Sequence, residues 1–454
     1  LGAGGVTGAD YIARWNGTTW SGLLSGTLGI SNTVTTIAIS GTDVLVGGFF
    51  TNAGGVSGAN RIARWHGSTW NAVGAANAVN APVRAIKVSS SGVYIGGVFT
   101  NAGGNTANDF ITRWTGSAFV PLGSETTGPL NGLVNAIAIS GTDVYVGGSF
   151  TDAGGVIGAN YVAKWNGTTW SGLLSGTFGI GGPLVSTIAI SGTDVYVGGS
   201  FTNAGGVTGA NNIARWNSAN NTWNLVGAAS AINNSVNTIA ISGNNVYVGG
   251  FFTNAGGVSG ADYIARWNGT TWSGLLSGTT GITDTVYTLA LSGTDVLVGG
   301  DFLGAGGVTG ADYIARWNGT TWSGLLSGTL GISNTVTTIA ISGTDVLVGG
   351  FFTNAGGVSG ANRIARWHGS TWNAVGAANA VNAPVRAIKV SSSGVYIGGV
   401  FTNAGGNTAN DFITRWTGSA FVPLGSETTG PLNGTVNAIA ISGTDVYVGG
   451  FFTN

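Results

Sequence analysis

A pair of glycines that closes a run of β-branched and other apolar residues recurs nine times in this chain. The pairs begin at Gly47, Gly96, Gly147, Gly198, Gly249, Gly299, Gly349, Gly398 and Gly449, so that successive copies lie 49 to 51 residues apart. A fixed period in this range is typical of solenoids, propellers and other repeat arrays. The period therefore constrains the fold more strongly than any single motif in the sequence.

One repeat reads as four short strands. Residues 34–40 (VTTIAIS) predict the first strand, 41–43 (GTD) a hairpin turn, and 44–50 (VLVGGFF) the second strand. A loop at 51–60 (TNAGGVSGAN) leads to a third strand at 61–66 and a fourth around 70–73. This is the pattern of a propeller blade. A helical solenoid would need a 3.6-residue period, which is absent, and a linear array of separate sheets would leave apolar faces exposed.

The sequence predicts an all-β protein, a single β-propeller of nine four-stranded antiparallel blades that takes up residues 1–454. N-terminal strands within about 11–24 are expected to pair with C-terminal strands within about 436–452, so that both ends share the ninth blade. Residues 1–150 recur at 303–452 with two changes, since Leu133 aligns with Thr435 and Ser149 with Phe451. The duplicated unit is six blades long, which leaves open a natural chain of more than nine blades.

Composition limits the classes of partner. Charged residues make up 7% of the chain and the formal net charge is −1, which gives no electrostatic reason to expect a nucleic acid. Without Cys there is no disulfide framework and no thiolate site. No apolar run approaches the length of a membrane-spanning helix, so we expect no membrane insertion.

The run from Val144 to Trp170, VYVGGSFTDAGGVIGANYVAKWNGTTW, resembles kelch-type repeats. It is more closely similar to the glycine-rich delta-60 repeats of secreted bacterial propellers. The glycine pair and the aromatic residues Trp165 and Trp170 carry the resemblance. It implies a propeller in an extracellular or cell-surface protein, and it leaves the function open, because such propellers include binding platforms, surface proteins and some enzymes.

Galactose oxidase is the kelch-type enzyme against which the chain can be tested. Its copper is held by histidines and tyrosines beside a cross-linked Cys. This chain has no Cys, and its two histidines, His66 and His368, are copies of one repeat position. The resemblance therefore does not carry the copper chemistry over to this sequence.

Two further sets of residues recur in every repeat. Two aromatic positions hold 16 Trp and two Phe in all, which favours packing between blades over sugar-stacking platforms. One cation lies in each third strand, at Arg14, Arg64, Arg113, Lys164, Arg215, Arg266, Arg316, Arg366 and Arg415. Turn-favouring residues lie at or beside the first hairpin turn, at Asp43, Ser91, Asp143, Asp194, Asn245, Asp295, Asp345, Ser393 and Asp445. Two interpretations stay open, namely that these carboxylates pair with the cations or that the ring of cations holds an anion.

The loop at 51–60 and its copies form the candidate ligand surface. Its side chains and backbone groups suit glycan hydroxyls or Ca²⁺, although the carboxylates are too sparse to predict a calcium site. The candidate ligand-facing residues are Asn52, Asn60, Asn101, Asp109, Asp152, Asn160, Asn203, Asn211, Asn254 and Asp262. The alternative is that these loops only connect strands.

No catalytic machinery is evident. Glu125 and Glu427 are the only Glu residues and are copies of each other, so no acid/base pair is evident within a repeat. His66 and His368 are expected at exposed turns. We therefore predict no catalytic residue, no cofactor, no metal, and a non-catalytic extracellular or cell-surface scaffold. Its partner is expected to be a protein or a second copy of itself, because little like-charge repulsion opposes association. The alternative is a glycan-binding propeller that uses the Asn/Gly-rich loops.

Overall fold

The structure is a computed structural model of the whole chain. It describes residues 11–16, 20–23, 29–66, 68–74, 79–123, 129–173, 179–275, 281–325, 331–375, 381–404, 411–424, 432, 434–442 and 444–452. All of the regular elements are β-strands, as the alternating sequence pattern predicts. The predicted all-β architecture is confirmed.

Thirty-six strands form nine sheets of four, which we call blades 1 to 9. Blades 1 to 3 contain β3 (Val34–Ser40), β4 (Asp43–Gly48), β5 (Ile62–His66), β6 (Thr69–Ala72); β7 (Val83–Ser89), β8 (Gly92–Gly97), β9 (Ile111–Trp114), β10 (Phe119–Val120); β11 (Val134–Ser140), β12 (Asp143–Gly148), β13 (Val162–Trp165), β14 (Trp170–Gly172). Blades 4 to 6 contain β15 (Ile180–Ser191), β16 (Asp194–Ala204), β17 (Ile213–Asn217), β18 (Thr222–Asn224); β19 (Val236–Ser242), β20 (Asn245–Gly250), β21 (Ile264–Trp267), β22 (Trp272–Gly274); β23 (Val286–Ser292), β24 (Asp295–Gly300), β25 (Ile314–Trp317), β26 (Trp322–Gly324). Blades 7 to 9 contain β27 (Val336–Ser342), β28 (Asp345–Gly350), β29 (Ile364–His368), β30 (Thr371–Ala374); β31 (Val385–Ser391), β32 (Gly394–Gly399), β33 (Ile413–Trp416), β34 (Phe421–Val422); β35 (Thr435–Ser442), β36 (Asp445–Phe451), β1 (Ile12–Trp15), β2 (Trp20–Gly22).

Each blade is an antiparallel sheet in which the first strand is innermost. The nine first strands each contact the first strands of both neighbouring blades, whereas each fourth strand pairs only with the third strand of its own blade. A bulge interrupts the pairing of every first and second strand opposite the glycine pair, as between Val134 and Ala136 in blade 3. The nine-bladed propeller is confirmed.

Blade 9 is built from both ends of the chain, in the strand order β2-β1-β36-β35. Ile12 lies opposite Gly449 and Trp15 opposite Val446 in antiparallel register. The backbone N–H of Tyr11 also donates to the carbonyl oxygen of Phe452, at 2.8 Å. Main-chain hydrogen bonds of an ordinary sheet therefore hold this blade together.

The hydrophobic core lies between blades, and the glycine pair makes it possible. A Cβ atom on Gly147 would lie 2.5 Å from Cγ1 of Val185 in blade 4, and one on Gly148 would lie 1.8 Å from the carbonyl oxygen of Leu133 in its own blade. Neither glycine has a left-handed backbone conformation. The first glycine therefore allows the neighbouring blade to approach closely, and the second allows the bulged first strand to do so. Glycine is needed at both positions because a Cβ atom would not fit, and not because the backbone has a positive φ.

The predicted packing role of the tryptophans is confirmed in the described blades. Trp165 and Trp170 are both less than a tenth exposed, and their ring centroids lie 5.6 Å apart. The Nε1–H group of the fourth-strand Trp donates across the interface to a carbonyl oxygen of the preceding blade, as Trp170 does to Leu122 and Trp223 to Leu173. Because these rings are buried, they present little surface on which a sugar could stack.

Candidate functional site

The antiparallel order of the strands gives the ring two different faces. The loops between second and third strands and the connectors between blades lie on one face, which we call the loop face. The hairpins between first and second strands and between third and fourth strands lie on the other, which we call the hairpin face. The predicted ligand-facing residues all belong to the loop face.

Most of the predicted side chains at the start of a loop are used by the loop itself. The Oδ1 atom of Asn52 accepts the N–H of Gly55 at 2.8 Å, and the same bond forms at its copy Asn354 and at three further predicted residues. Asn101 accepts from Gly104, Asp152 from Gly155 and Asn254 from Gly257, each at 2.9 Å. These are Asx turns, in which the side chain replaces a missing backbone partner. One oxygen of each of these predicted ligand residues therefore already accepts a hydrogen bond from within the loop.

Blade 4 holds its loop by a different arrangement. Asn203 has a left-handed conformation with a φ of 61°, and its N–H donates to Oδ1 of Asn211 at 2.9 Å. Asn211 in turn donates through Nδ2 to Ser230 Oγ at 3.3 Å. The two predicted residues of this blade are brought together, but the contact between them stabilises the loop.

The predicted residues at the end of each loop form a strained turn. In blade 1 the N–H of Ile62 donates to the carbonyl oxygen of Asn60 at 2.6 Å, across Arg61, whose φ is 60°. The same bond follows Asp109, Asn160, Asn211 and Asp262. Such a γ-turn with a positive central φ is rare in proteins and costs backbone energy. Its presence in blade after blade indicates that it sets the direction in which the chain enters the third strand.

Burial at this turn perturbs its carboxyl groups. Oδ1 of Asn60 and Oδ1 of Asp109 are buried without a hydrogen-bond partner among the described residues. Desolvation raises the pKa of the Asp109 and Asp411 carboxyls to about 6, and it also raises the pKa of Asp262 and of Asp312. An aspartate at this position is therefore poorly placed to serve as a charged ligand for Ca²⁺.

The loop face also exposes large apolar side chains, which the sequence analysis did not identify. Phe50 and its copies are buried in every blade, but the residue before it points outward. The large exposed apolar side chains of the described residues are Phe49, Phe251, Phe351, Phe451, Ile157, Leu303 and Tyr287. All seven lie on the loop face or at the end of a first strand next to it. The signal in the sequence is the FF doublet, of which only the second Phe enters the core.

Ion pairs are concentrated on the hairpin face. Six blades pair the third-strand cation with the carboxylate at the start of the second strand, at N–O distances between 2.6 and 3.4 Å. The pairs are Arg14–Asp445, Arg64–Asp43, Lys164–Asp143, Arg215–Asp194, Arg316–Asp295 and Arg366–Asp345. The predicted pairing is confirmed within these blades. At this position blades 2, 5 and 8 have Gly92, Asn245 and Gly394, and the predicted turn residues Ser91 and Ser393 lie one residue earlier.

The two histidines join ion pairs of this face. His66 Nδ1 lies 2.5 Å from Asp43 Oδ1, and His368 lies equally close to Asp345. Both histidine side chains are more than half exposed, as the sequence predicts for turn residues. Small clefts between blades lie beside these ion pairs, with volumes from about 210 to about 420 Å³. Three of the four fall below the roughly 300–1,000 Å³ of typical small-molecule sites.

The remaining expectations concern the two Glu residues, metal sites and membrane insertion. Glu125 and Glu427 lie outside the described residues. Within the described ranges, no group of three or more His, Asp or Glu side chains is placed to share a metal ion. The same ranges hold no helix that is long and apolar enough to cross a membrane.

Comparison with known proteins gives structural neighbours only. No family model matches this chain, and no curated protein matches it. The computationally designed Ika8 protein is 17% identical with a TM-score of 0.46, over 86% of this chain and 97% of that one. An ancestral GH74 enzyme is 14% identical with a TM-score of 0.38, over 93% of this chain and 58% of the enzyme chain. YjhT is 14% identical with a TM-score of 0.30, over 63% of this chain and 95% of that chain. The fold of the present chain, a nine-bladed β-propeller, is established by the structure described above and not by these neighbours.

Proposed function

We propose that this protein is a non-catalytic interaction scaffold that binds a protein partner, including a second copy of itself, through the loop face. The observation that carries the proposal is the concentration of exposed large apolar side chains on that face. Ile157 is 80% exposed, Leu303 68% and Phe451 57%. Among the described residues the hairpin face exposes no large apolar side chain, so the loop face is the one that favours an apolar contact.

The remaining groups of the loop face favour contact with a protein more than with a charged ligand. Its Asx turns and γ-turns use the side-chain and backbone oxygens that would otherwise face a ligand. The chain carries 15 cations and 16 acidic residues, and the ion pairs lie on the opposite face. Burying the loop face against a second copy removes apolar surface from water and leaves the six ion pairs of the hairpin face solvated.

An extracellular or cell-surface location is part of the proposal. The likeness of the repeat run to kelch-type and, more closely, delta-60 repeats supports it, as does a surface whose polarity comes from Asn, Thr, Ser and Gly. We also propose that residues 1–454 act as one propeller unit. Detection of the protein in the medium or on intact cells by protease accessibility tests the location, and an exclusively intracellular pool contradicts it.

The self-association is tested with residues that the chain itself supplies. Blades 3 and 4 have Ser149 and Ser200 where blades 1, 5 and 7 have Phe49, Phe251 and Phe351. The triple variant Phe49→Ser, Phe251→Ser, Phe351→Ser should therefore keep the fold and lose association in analytical ultracentrifugation over a wide range of concentration. The matched control, Asp194→Asn with Asp345→Asn, alters the hairpin face and should associate like the unmodified protein. A monomer at every concentration, or equal association of both variants, refutes self-association through the loop face.

Glycan binding through the same loops is the alternative function. It is favoured by the Nδ2 amides of Asn52 and Asn254, which have no hydrogen bond to another described residue while their Oδ1 atoms are fixed. An oriented amide donor is a common partner for a sugar hydroxyl. Saturable binding on a glycan array that is lost in Asn52→Ala with Asn254→Ala would establish this alternative, and an array without saturable binding would eliminate it.

A further inference from the structure

Four of the 15 cations of this chain have no place in the repeat pattern. Nine are the third-strand cations, and two, Arg61 and Arg363, are central residues of γ-turns, where each donates to a phenylalanine carbonyl oxygen. The remaining four are Arg84, Lys87, Arg386 and Lys389. They lie on β7 and β31, the first strands of blades 2 and 8.

These four side chains face the axial channel of the ring. A first strand has one hydrogen-bonded neighbour, the second strand of its own blade, and both faces of its sheet meet the adjacent blades. An exposed side chain on this strand therefore faces the space that the nine first strands surround. Arg84 and Lys87 are both exposed, whereas Val83 and Ile86 beside them are buried. The bulge between Val83 and Ala85 produces this spacing of three residues.

The rest of the channel wall offers these cations almost no negative charge. At the position of Arg84 and Arg386 the other blades have Thr35, Asn135, Ser186, Asn237, Tyr287, Thr337 and Asn437, and at the position of Lys87 and Lys389 they all have Ala. None of the four cations forms an ion pair with a described carboxylate. Arg386 donates to the neutral Asn437 Oδ1 at 3.1 Å. Asp301, at the loop-face end of blade 6, is engaged by the hydroxyls of Tyr287 and Thr335.

The arrangement concentrates positive charge on one side of the channel. Blades 8, 9, 1 and 2 are consecutive, so the two pairs of cations lie three blade steps apart on the shorter path. Within each pair the residues are three positions apart along one strand, which is a separation of about 10 Å. A concave wall of low dielectric focuses the field of such charges into the space it encloses. Guanidinium groups bind oxyanions in a bidentate manner, and ammonium groups add compact positive charge.

We propose that the axial channel binds a polyvalent oxyanion whose phosphate or sulfate groups contact Arg84, Lys87, Arg386 and Lys389. The site lies on first strands and not on the loops, and its proposal does not rest on the scaffold function proposed above. Two kinds of molecule carry such groups, namely a free polyphosphate and a sulfated polysaccharide. Inorganic tripolyphosphate and dextran sulfate serve as the two probes, with uncharged dextran as the blank, in calorimetric titrations of the full-length protein at low ionic strength.

Residues from other blades provide the test variant. The blade 2 variant, Arg84→Thr with Lys87→Ala, introduces the residues that blade 1 has at Thr35 and Ala38. The fourfold variant adds the same two changes in blade 8, Arg386→Thr and Lys389→Ala, and so removes all four cations. The control is Arg61→Tyr with Arg363→Tyr, which also removes two cations. Tyrosine occupies the same repeat position in three other blades, as Tyr161, Tyr263 and Tyr313. The blade 2 variant should weaken binding about tenfold and the fourfold variant should abolish it, while the control binds like the unmodified protein.

Each outcome decides the proposal. Binding of either probe that depends on the channel cations supports it, and the probe that binds identifies the source of the oxyanion. Absence of binding by both probes overturns it, as does equal weakening by the channel variant and the control, because equal weakening indicates an unspecific effect of net charge. Unchanged thermal unfolding of the fourfold variant shows that a loss of binding does not arise from misfolding.

Discussion

The contact between Gly147 and Val185 provides a quantitative test of the interface between blades. In Gly147→Ala the new methyl group would lie 2.5 Å from Cγ1 of Val185 and 3.1 Å from Cδ1 of Ile188. Relief of this overlap costs about 1–3 kcal/mol, partly offset by about 0.5 kcal/mol from the stiffer unfolded chain. Val185→Ala removes two methyl groups from a fully buried side chain, which costs about 2–3 kcal/mol.

The double variant should be more stable than the sum of the two single changes predicts. The methyl group introduced by Gly147→Ala then occupies space that Cγ1 of Val185 has left, so the coupling free energy should be about 1–2 kcal/mol. Urea denaturation followed by tryptophan fluorescence gives the four free energies of unfolding. Gly299→Ala with Val185→Ala is the matched control, because Gly299 contacts Val336 of another interface and its effect should simply add. Additivity of the Gly147 and Val185 effects within about 0.5 kcal/mol would refute the packing argument.

Two further predictions concern buried polar groups. Because the folded-state pKa of Asp109 and Asp411 is raised to about 6, from an ordinary 3.8, their ionisation destabilises the fold as the pH rises from 4 through 6. Asp109→Asn with Asp411→Asn should therefore stabilise the protein above pH 6, by about 1 kcal/mol per site after solvent screening, and leave its melting temperature unchanged near pH 4; a pH-independent difference contradicts this. Trp223→Phe removes the indole bond to the Leu173 carbonyl oxygen and should cost about 1–2 kcal/mol in urea denaturation, and an unchanged midpoint would show that the bond contributes nothing.

Much of the fold follows from the sequence because the repeat fixes it. The first strand is predicted at the residues that β3 occupies, since alternation and the GT turn define both of its ends. The second strand ends at Gly48 and not at residue 50, because Phe49 and Phe50 leave the ladder in opposite directions, one to solvent and one to the core. A doublet of identical residues gives the sequence no means of showing which one is buried.

The candidate site was less predictable, for reasons of geometry. Asn52 was correctly placed on a loop, but whether its oxygen faces a ligand or the N–H of Gly55 depends on the dihedral angles of the turn. The pairing of Arg64 with Asp43 requires the register that places Leu45 opposite Arg64. The exposure of Arg84 to the channel requires both the order of strands in the blade and the bulge beside Val83. None of these is encoded in local composition.

The ion pairs of the hairpin face repeat with a period of three blades, because two paired blades alternate with one that lacks the carboxylate. Because nine is a multiple of three, the pattern continues unbroken through blade 9, which closes the ring. This face therefore has pseudo-threefold rotational symmetry. The channel cations break that symmetry, since blade 5 has Asn237 and Ala240 where blades 2 and 8 have Arg and Lys. An anion in the channel is consequently drawn off the rotation axis, towards the wall formed by blades 8, 9, 1 and 2.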